Sequence, residues 1–451
     1  MYNNVPATGG GIMKYTIDEV LQFIGDNDVK FVRLSFCDMF GIMKNISILA
    51  DELPRAFESG ISFDASSIKG FLNIEKSDLF LYPDPSTLSI LPWRPQQGRV
   101  VRFYCSIKYP DGSPFEGDGR VMLQKAVDSA DKAGYRVEIG SECEFYLFGE
   151  DENGHPTTIP HDNAGYLDVA PLDRGENVRR DICLTLEQMG ILPECSHHEQ
   201  GPGQNEIDFK YSDAMSAADN LITFKSVVKT ISHLNGLYAS FMPKPLKNCS
   251  GSGLHINISL LKNSMNLFDK IQNESSDEAE SFIAGILNRI REITVFLNPL
   301  TNSYSRFGTH SAPKFITWSY QNRSQLVRIP AANGIYSRME LRSSDPSCNP
   351  YYAFALLIYA GLEGIQNGLR LEEPADINLY DAPEDVLKSY ETIPGTLRDA
   401  VECAMESQFL KQCIPEKTLR KYLQAKSEEC SQYEMAKNKE IFEHNTYFYT
   451  I

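Results

Sequence analysis

Residues 140–145 read Gly-Ser-Glu-Cys-Glu-Phe, inside a run, 135–148, rich in β-branched and aromatic residues. Such a run predicts a strand. Alternation along a strand puts Glu142 and Glu144 on one face and Cys143 and Phe145 on the other. Two residues of strand rise separate the carboxylates by about 7 Å. At an effective dielectric constant of about 20 their repulsion costs roughly 2 kcal/mol. A solvated sheet face is the ordinary explanation for one Glu-x-Glu; a bound cation is the other. Whatever fold the chain adopts must relieve this repulsion.

The same alternation recurs. In 253–260, His255, Asn257 and Ser259 alternate with Leu254, Ile256 and Ile258. In 337–343, Arg338, Glu340 and Arg342 alternate with Met339 and Leu341. In 196–209 two segments flank a Gly-Pro-Gly turn and offer Glu199 and Glu206. If these strands are neighbours, five carboxylates, one imidazole and several guanidiniums line one cavity over an apolar back. Five carboxylates cannot stay ionised together without cations. All-oxygen donors with one His, and no Cys among them, suit Mg²⁺ or Mn²⁺ rather than zinc. Segment 322–330 adds Arg323 and Arg328. Carboxylate-held divalent ions beside arginines are what phosphoryl transfer requires. No Gly-x-x-x-x-Gly-Lys-Ser/Thr motif occurs, so a P-loop is excluded.

The 451 residues suffice for two domains. A net charge of −17 and the lack of a dense basic run argue against nucleic acid. No segment approaches the roughly 20 apolar residues that span a bilayer, and the start lacks a signal-peptide pattern; a cytoplasmic protein is expected. The ten cysteines form no Cys-x-x-Cys pair and read as reduced, buried thiols. Residues 1–13 read as a disordered extension, with Met13 a second candidate start. A small α+β domain is expected over 14–112, with a capped first helix and strands at 29–36, 43–50, 87–93 and 99–109. Residues 110–120 form a turn-rich linker, and a larger domain over 113–451 carries helices at 120–133, 176–189, 216–235, 278–297, 350–367 and 416–443.

From about residue 14 onward the chain resembles bacterial class I glutamine synthetase. The motifs that carry the resemblance stand in order: FDASSIKGF, PDGSPFEGD, GSECEFYLF, HHEQGPGQNEIDF, GSGLHINISL, NPLTNSYSR, NRSQLVRIP and RMELRSSDPSCNPYYAFALLIYAGLEGI. The resemblance implies an α+β fold: a small β-grasp-like N-terminal domain and a large catalytic domain with a curved antiparallel sheet, of the glutamine synthetase/guanido kinase type. It implies a dodecamer of two hexameric rings with sites between subunits. Glu144, Glu199 and Glu206 then hold one Mg²⁺ or Mn²⁺, and Glu142, His255 and Glu340 a second. Arg306 and Arg342 match glutamate-binding positions, with Gly251 at the substrate amino group. Arg323, Arg328 and Arg338 match phosphate contacts, and Glu194, Tyr211 and Ser259 the ATP site. Asp64 and Ser67 match ammonium-site residues reaching in from a neighbour, beside Tyr166. The implied reaction makes glutamine from L-glutamate, ammonium and ATP through γ-glutamyl phosphate.

Four departures stand out. Ser311 replaces the flap glutamate of the family, Ala65 a glycine, Ser250 an asparagine, and Asn73 an arginine that in one subgroup relays feedback. The first leaves room for a γ-glutamyl ligase acting on an organic amine such as a polyamine; a further alternative is an inactive oligomer that binds a nitrogen-regulatory protein, against which the presence of all six implied metal ligands speaks. His310, next to Ser311, is a candidate substitute for the lost base. Tyr380 stands where some members are adenylylated and is expected to be a plain surface tyrosine.

Overall fold

The computed structural model describes residues 15–269, 276–308 and 312–451. The extension expected over 1–13, His310 and Ser311 lie outside the described residues. The chain divides into two compact units, one with the described residues up to Cys37 and Met43–Phe115, the other with Asp38–Ile42 and Glu116–Ile451.

In the smaller unit, helix α1 (Ile17–Asp26) begins where Thr16 accepts from the Glu19 amide while the Glu19 carboxylate accepts from the Thr16 amide. This reciprocal cap satisfies two helix-end donors. Strands β1 (Val29–Cys37) and β2 (Met43–Leu49) follow, then α2 (Leu53–Ser59), β3 (Ile61–Asp64), β4 (Asp78–Pro83), β5 (Ser89–Ile90) and β6 (Arg99–Lys108). The sheet runs β2-β1-β6-β4-β3, with β5 also on β6. Its β1–β6 pair is parallel and the other pairs are antiparallel. Val32, Leu34, Leu79, Leu81, Val101 and Phe103 bury against Val20 and Ile24 of α1 and Leu53 of α2. Two expectations need correction. The strand over 87–93 shrinks to two residues, because Pro85–Thr87 forms a helical turn capped by Asp84. A second helix, α2, was missed; Pro54 in its first turn fits a helix start.

The larger unit opens with α3 (Gly119–Lys132), then β7 (Arg136–Glu150), β8 (Pro156–Pro160), α4 (Glu176–Gln188), β9 (Pro193–His198), β10 (Gln204–Phe209), β11 (Ser212–Asp213) and α5 (Ala214–Leu234). It continues with β12 (Leu237–Ser240), β13 (Leu254–Lys262), β14 (Met265–Asn266), α6 (Asp277–Leu297), β15 (Trp318–Tyr320), β16 (Val327–Ile329), β17 (Met339–Leu341) and α7 (Pro350–Gln366). The sheet order is β15-β16-β17-β13-β7-β10-β9, with β8, β11 and β12 on β7 and β14 on β13. All its pairs are antiparallel except β15–β16, so the expected antiparallel sheet is mixed at one edge. The helix expected over 416–443 ends at Met435 and restarts at Lys439, since Ala436 is extended.

The long strand β7 is the spine. Its apolar residues Ile139, Cys143 and Phe145 are fully buried with Ile256 and Ile258 of β13 and Met339 and Leu341 of β17. Phe145 meets Phe224 of α5 edge-on, with ring centres 6.0 Å apart. Behind, α6 and α7 cross at glycines. A Cβ on Gly285 would meet the Ala360 carbonyl at 2.2 Å, and one on Gly364 the Ser281 carbonyl at 2.0 Å. No helix among the described residues is long and apolar enough to cross a membrane.

The crossing leaves no room for a methyl group. Gly364→Ala should force the two backbones apart and cost about 3 kcal/mol or more, read as a lower denaturation midpoint. An unchanged midpoint would mean that the helices do not approach this closely.

Candidate active site

The polar face of the same sheet forms the floor of a cavity of about 420 Å³ in the larger unit. Register decides which side chains meet. Glu142 of β7 lies opposite His255 of β13 and Asp208 of β10, and Glu144 opposite Glu206. Glu340 of β17 faces Asn257 on one side and Arg328 of β16 on the other. His197 of β9 faces Glu206.

Glu142 and Glu144 therefore stand in different surroundings. Glu142 accepts from Asn257 Nδ2 at 2.8 Å and lies 3.0 Å from His255 Nδ1. Glu340, fully buried, pairs with both Arg328 and Arg342 and lies 3.6 Å from His255. Burial opposes ionisation of Glu142, but His255, Asn257 and Arg342 outweigh it and hold this carboxyl well below the usual range. Glu340 is likewise lowered: burial is overcome first by Arg342, with His255 and Arg328 assisting. Glu144 accepts from Gln204 Nε2 at 2.8 Å and from the Gly253 amide at 2.9 Å. Burial nevertheless pushes it up, and Glu199 adds to this. Glu206 is raised well above the ordinary value by burial and by Glu144, Asp208, Glu142 and Glu199. One half of the floor has arginines paired with its carboxylates; in the other, among the described residues, His197 stands 3.8 Å from Glu199 and from Glu206 while the carboxylates crowd one another.

That imbalance is what a divalent cation would remedy, and the donors are of the right kind. Glu142, His255 and Glu340 offer ligand atoms within 4.8 Å of one another; so do Glu144, Glu206 and His255, and so do His197, Glu199 and Glu206. Carboxylates with one or two imidazoles fit Mg²⁺ or Mn²⁺. The Nε atoms of Arg328 and Arg342 and the hydroxyl of Tyr211 are buried without a hydrogen-bond partner among the described residues. Such orphaned donors fit an anionic ligand.

Of the residues singled out from sequence, Glu142, Glu144, Glu199, Glu206, His255, Arg323, Arg328, Arg338, Arg342, Gly251, Ser250 and Tyr166 line the cavity. Gly251 must be a glycine, because a Cβ there would lie 2.6 Å from Arg306 Cγ and 2.7 Å from the Pro243 carbonyl. Arg306 itself is fully buried beneath and donates to the Ser343 carbonyl at 3.2 Å. Tyr211 lies under the Arg338 guanidinium, 6.0 Å from it. Ser259 is buried and donates to the Ser337 carbonyl at 3.0 Å, which gives it a local partner. Glu194 is exposed on β9. Asp64 and Ser67 belong to the smaller unit, where Asp64 accepts from Ser67 Oγ at 3.0 Å and from the Ser66 amide at 2.9 Å. Ala65 is buried and Asn73 exposed. On either side of residues 309–311, the Gly308 amide donates to the Ala312 carbonyl at 3.0 Å.

Three expectations about the site are corrected. Tyr380 is not a surface tyrosine: it lines the cavity, half-buried, and burial raises its hydroxyl against the pull of Arg342 and Arg306. Asp208 and His197 join the lining, so five carboxylates and two imidazoles face the cavity, with Glu340 fully buried against Arg328 and Arg342. Alternation from Glu206 would have found Asp208. No cysteine lines the cavity, but one stands at its edge: the Cys195 thiol donates to Asp208 Oδ2 at 2.7 Å. Of the thiols expected to be buried, Cys195 is exposed, while Cys183, Cys249, Cys403 and Cys413 are half-buried.

A second buried network, invisible in the sequence, positions this wall. His198 has Nε2 2.9 Å from Asp162 and Nδ1 2.7 Å from the Glu199 carbonyl. Both nitrogens face acceptors, so the ring is held as an imidazolium. Burial opposes this, but Asp162 and the Glu199 carbonyl raise its pKa. Asp162, also opposed by burial, is lowered by His198 and by the Arg174 and Gly203 amides. The Glu199 backbone is thereby tied to the loop that carries Tyr166.

Residues 28–110 match the family model "Glutamine synthetase, beta-Grasp domain" and residues 116–445 "Glutamine synthetase, catalytic domain". The chain belongs to the glutamine synthetase family. It is 47% identical over 423 residues to a glutamine synthetase of Methanosarcina mazei, covering 93% of this chain and 95% of that one. It is 45% identical over 425 residues to one of Clostridium saccharobutylicum, covering 93% and 96%. Among solved structures, a GmaS/ADP complex superposes with a TM-score of 0.84 at 28% identity, covering 95% of this chain and 98% of that one.

The His198–Asp162 pair yields a pH signature. The contribution of His198 is full below its unfolded pKa of about 6.5 and is lost as pH rises through the raised folded value. That of Asp162 is full above about pH 4 and is lost as pH falls through the lowered folded value. The pair therefore contributes most between about pH 4 and 6.5. Asp162→Asn should cost about 3 kcal/mol within that window, and the gap to wild type should narrow at alkaline pH. Denaturation midpoints measured across pH check this; a gap independent of pH would refute the charged pair.

Proposed function

We propose that the chain is a glutamate–ammonia ligase that makes glutamine with ATP. The observation that supports this reading is a single cavity in which five carboxylates share a floor with Arg323, Arg328, Arg338 and Arg342, with Glu340 buried against two of those arginines. A γ-carboxylate oxygen of glutamate attacks the γ-phosphorus of ATP and ADP leaves. Ammonia then attacks the acyl carbon, phosphate departs, and one proton is lost from nitrogen.

The residues divide these tasks by charge. Arg342 holds a substrate carboxylate at the cavity surface, Arg306 adds positive charge from its buried position beneath, and the Gly251 loop leaves space for the amino group. Arg323, Arg328 and Arg338 neutralise charge on the transferred phosphoryl group, where such groups are most effective in a dry site. Glu194, Tyr211 and Ser259 belong to the ATP end. Two Mg²⁺ or Mn²⁺ ions, when bound by Glu142, His255 and Glu340 and by Glu144, Glu199 and Glu206, supply the positive charge that the carboxylates and phosphates need. Asp64, Ser67 and Tyr166 form the ammonium pocket, with Asp64 of one subunit accepting the proton for its neighbour. That arrangement requires a ring-forming oligomer, the dodecamer of the family.

ATP turnover with glutamate and ammonium, run against glutamate and a panel of organic amines, tests the reading. Ammonium should be the preferred acceptor and chelation should abolish turnover. Glu144→Gln should lower kcat/KM about 100-fold or more. Near wild-type turnover in that variant would refute the metal assignment.

Ser311 favours a second reading, an amine ligase. A serine hydroxyl can neither attract ammonium nor act as a base near neutral pH, whereas phosphoryl transfer does not call on it. Weak ammonium affinity and ATP hydrolysis uncoupled from glutamine are therefore expected. Ser311→Glu should tighten ammonium use and suppress the uncoupled hydrolysis, and His310→Ala should be almost silent if that histidine is a bystander. If Ser311→Glu changes neither quantity, position 311 is not the flap and the amine-ligase reading gains.

A further inference from the structure

At the edge of the cavity floor, β9 and β10 bring together a donor set of another chemistry. Cys195 and His197 stand two apart on β9 and share its polar face. Asp208 of β10 crosses to them at a register shift between Ile207 and Phe209. The thiol, an imidazole nitrogen and a carboxylate oxygen all lie within 4.8 Å of one another. Asp208 Oδ2 accepts from the thiol, while Oδ1 is buried without a hydrogen-bond partner among the described residues. Glu142, Glu194 and Glu206 surround the cluster and make its field negative. Sulfur, nitrogen and oxygen at such spacing match three corners of a tetrahedral site with solvent at the fourth. A hard ion prefers the carboxylate-rich groups deeper in the floor; a thiolate selects borderline and soft ions.

We infer that Cys195, His197 and Asp208 form a separate site for a zinc-class divalent cation at the rim of the cavity. Binding releases the thiol proton to solvent and replaces the Cys195–Asp208 hydrogen bond by two metal–ligand bonds. Oδ1, without a hydrogen-bond partner among the described residues, gains a cation beside it. His197 and Asp208 also line the cavity, so a cation held here encroaches on it from the edge. Inhibition of turnover by zinc follows from this, and that consequence alone rests on the ligase reading. The site itself is tested without any turnover.

The test titrates Co²⁺, a spectroscopic stand-in for Zn²⁺, into full-length protein in saturating Mg²⁺, which occupies the oxygen sites and is ignored by thiolates. Wild type should develop a near-ultraviolet thiolate-to-cobalt band that saturates at one Co²⁺ per chain and is abolished by Zn²⁺. Cys195→Ser keeps the hydrogen bond to Asp208 but lacks the soft donor. It should lose the band and bind Zn²⁺ roughly tenfold or more weakly, since even indirect partners of a metal cost that much. Cys195→Ala should do the same, and the far-ultraviolet dichroism of both should be unchanged. Absence of the band in wild type, or its survival in folded Cys195→Ser, would overturn the site. For the consequence, zinc should inhibit wild-type turnover at concentrations that leave Cys195→Ser active. Equal inhibition of both, with the band still lost in the variant, would remove the inhibitory role and leave the site standing.

Discussion

The pairing of β7 with β13 on one side and β10 on the other is the constraint on which the site depends. Those two ladders fix which residues stand opposite Glu142 and Glu144. Strand side chains alternate, so a slip of one residue would turn both carboxylates into the helices and bring Cys143 and Phe145 to the surface. The apolar side forbids this, since Cys143, Phe145, Ile256 and Ile258 are all fully buried. Burial of one face thus positions the charges of the other.

With register fixed, the electrostatics follow from neighbours. Arg328, Arg342 and His255 gather around Glu340 and Glu142 and stabilise their ionised forms. Glu144 and Glu206 lie opposite one another, with Gln204 and a backbone amide as donors to Glu144. A cavity whose carboxylates are matched by arginines at one end and crowd one another at the other is suited to hold cations and phosphate side by side. Catalysis by such a site is chiefly positioning and charge stabilisation. This explains why so many of its residues sit on strands, whose positions are among the best defined in a fold.

Much of this was legible in the chain. Period-two alternation showed which residues of β7, β13 and β17 share a polar face, and the helices α3 to α7 fell close to their expected limits. What escaped reading depended on contacts between distant segments. Asp162 meets His198 across 36 residues, and nothing local marks either as half of an ion pair. Tyr380 follows a loop that brings it to the Arg342 side of the cavity, although its own neighbours in sequence look like surface. Cys195 carries no local signal, since no second cysteine lies nearby; its partners are a histidine two residues on and an aspartate across a hairpin.

By itself, then, the sequence determined the elements, the polar and apolar faces of the strands, the types of donor available and the family. Tertiary structure alone decided which donors meet. It split five similar glutamates into two ionised by arginine and histidine and others that repel one another, and it placed a thiol beside Asp208. The physical reason is that a residue's face is set by local backbone geometry, which the chain carries in its pattern. A residue's charge state is set by burial and by partners within a few ångströms, which strand pairing and loop closure alone bring together.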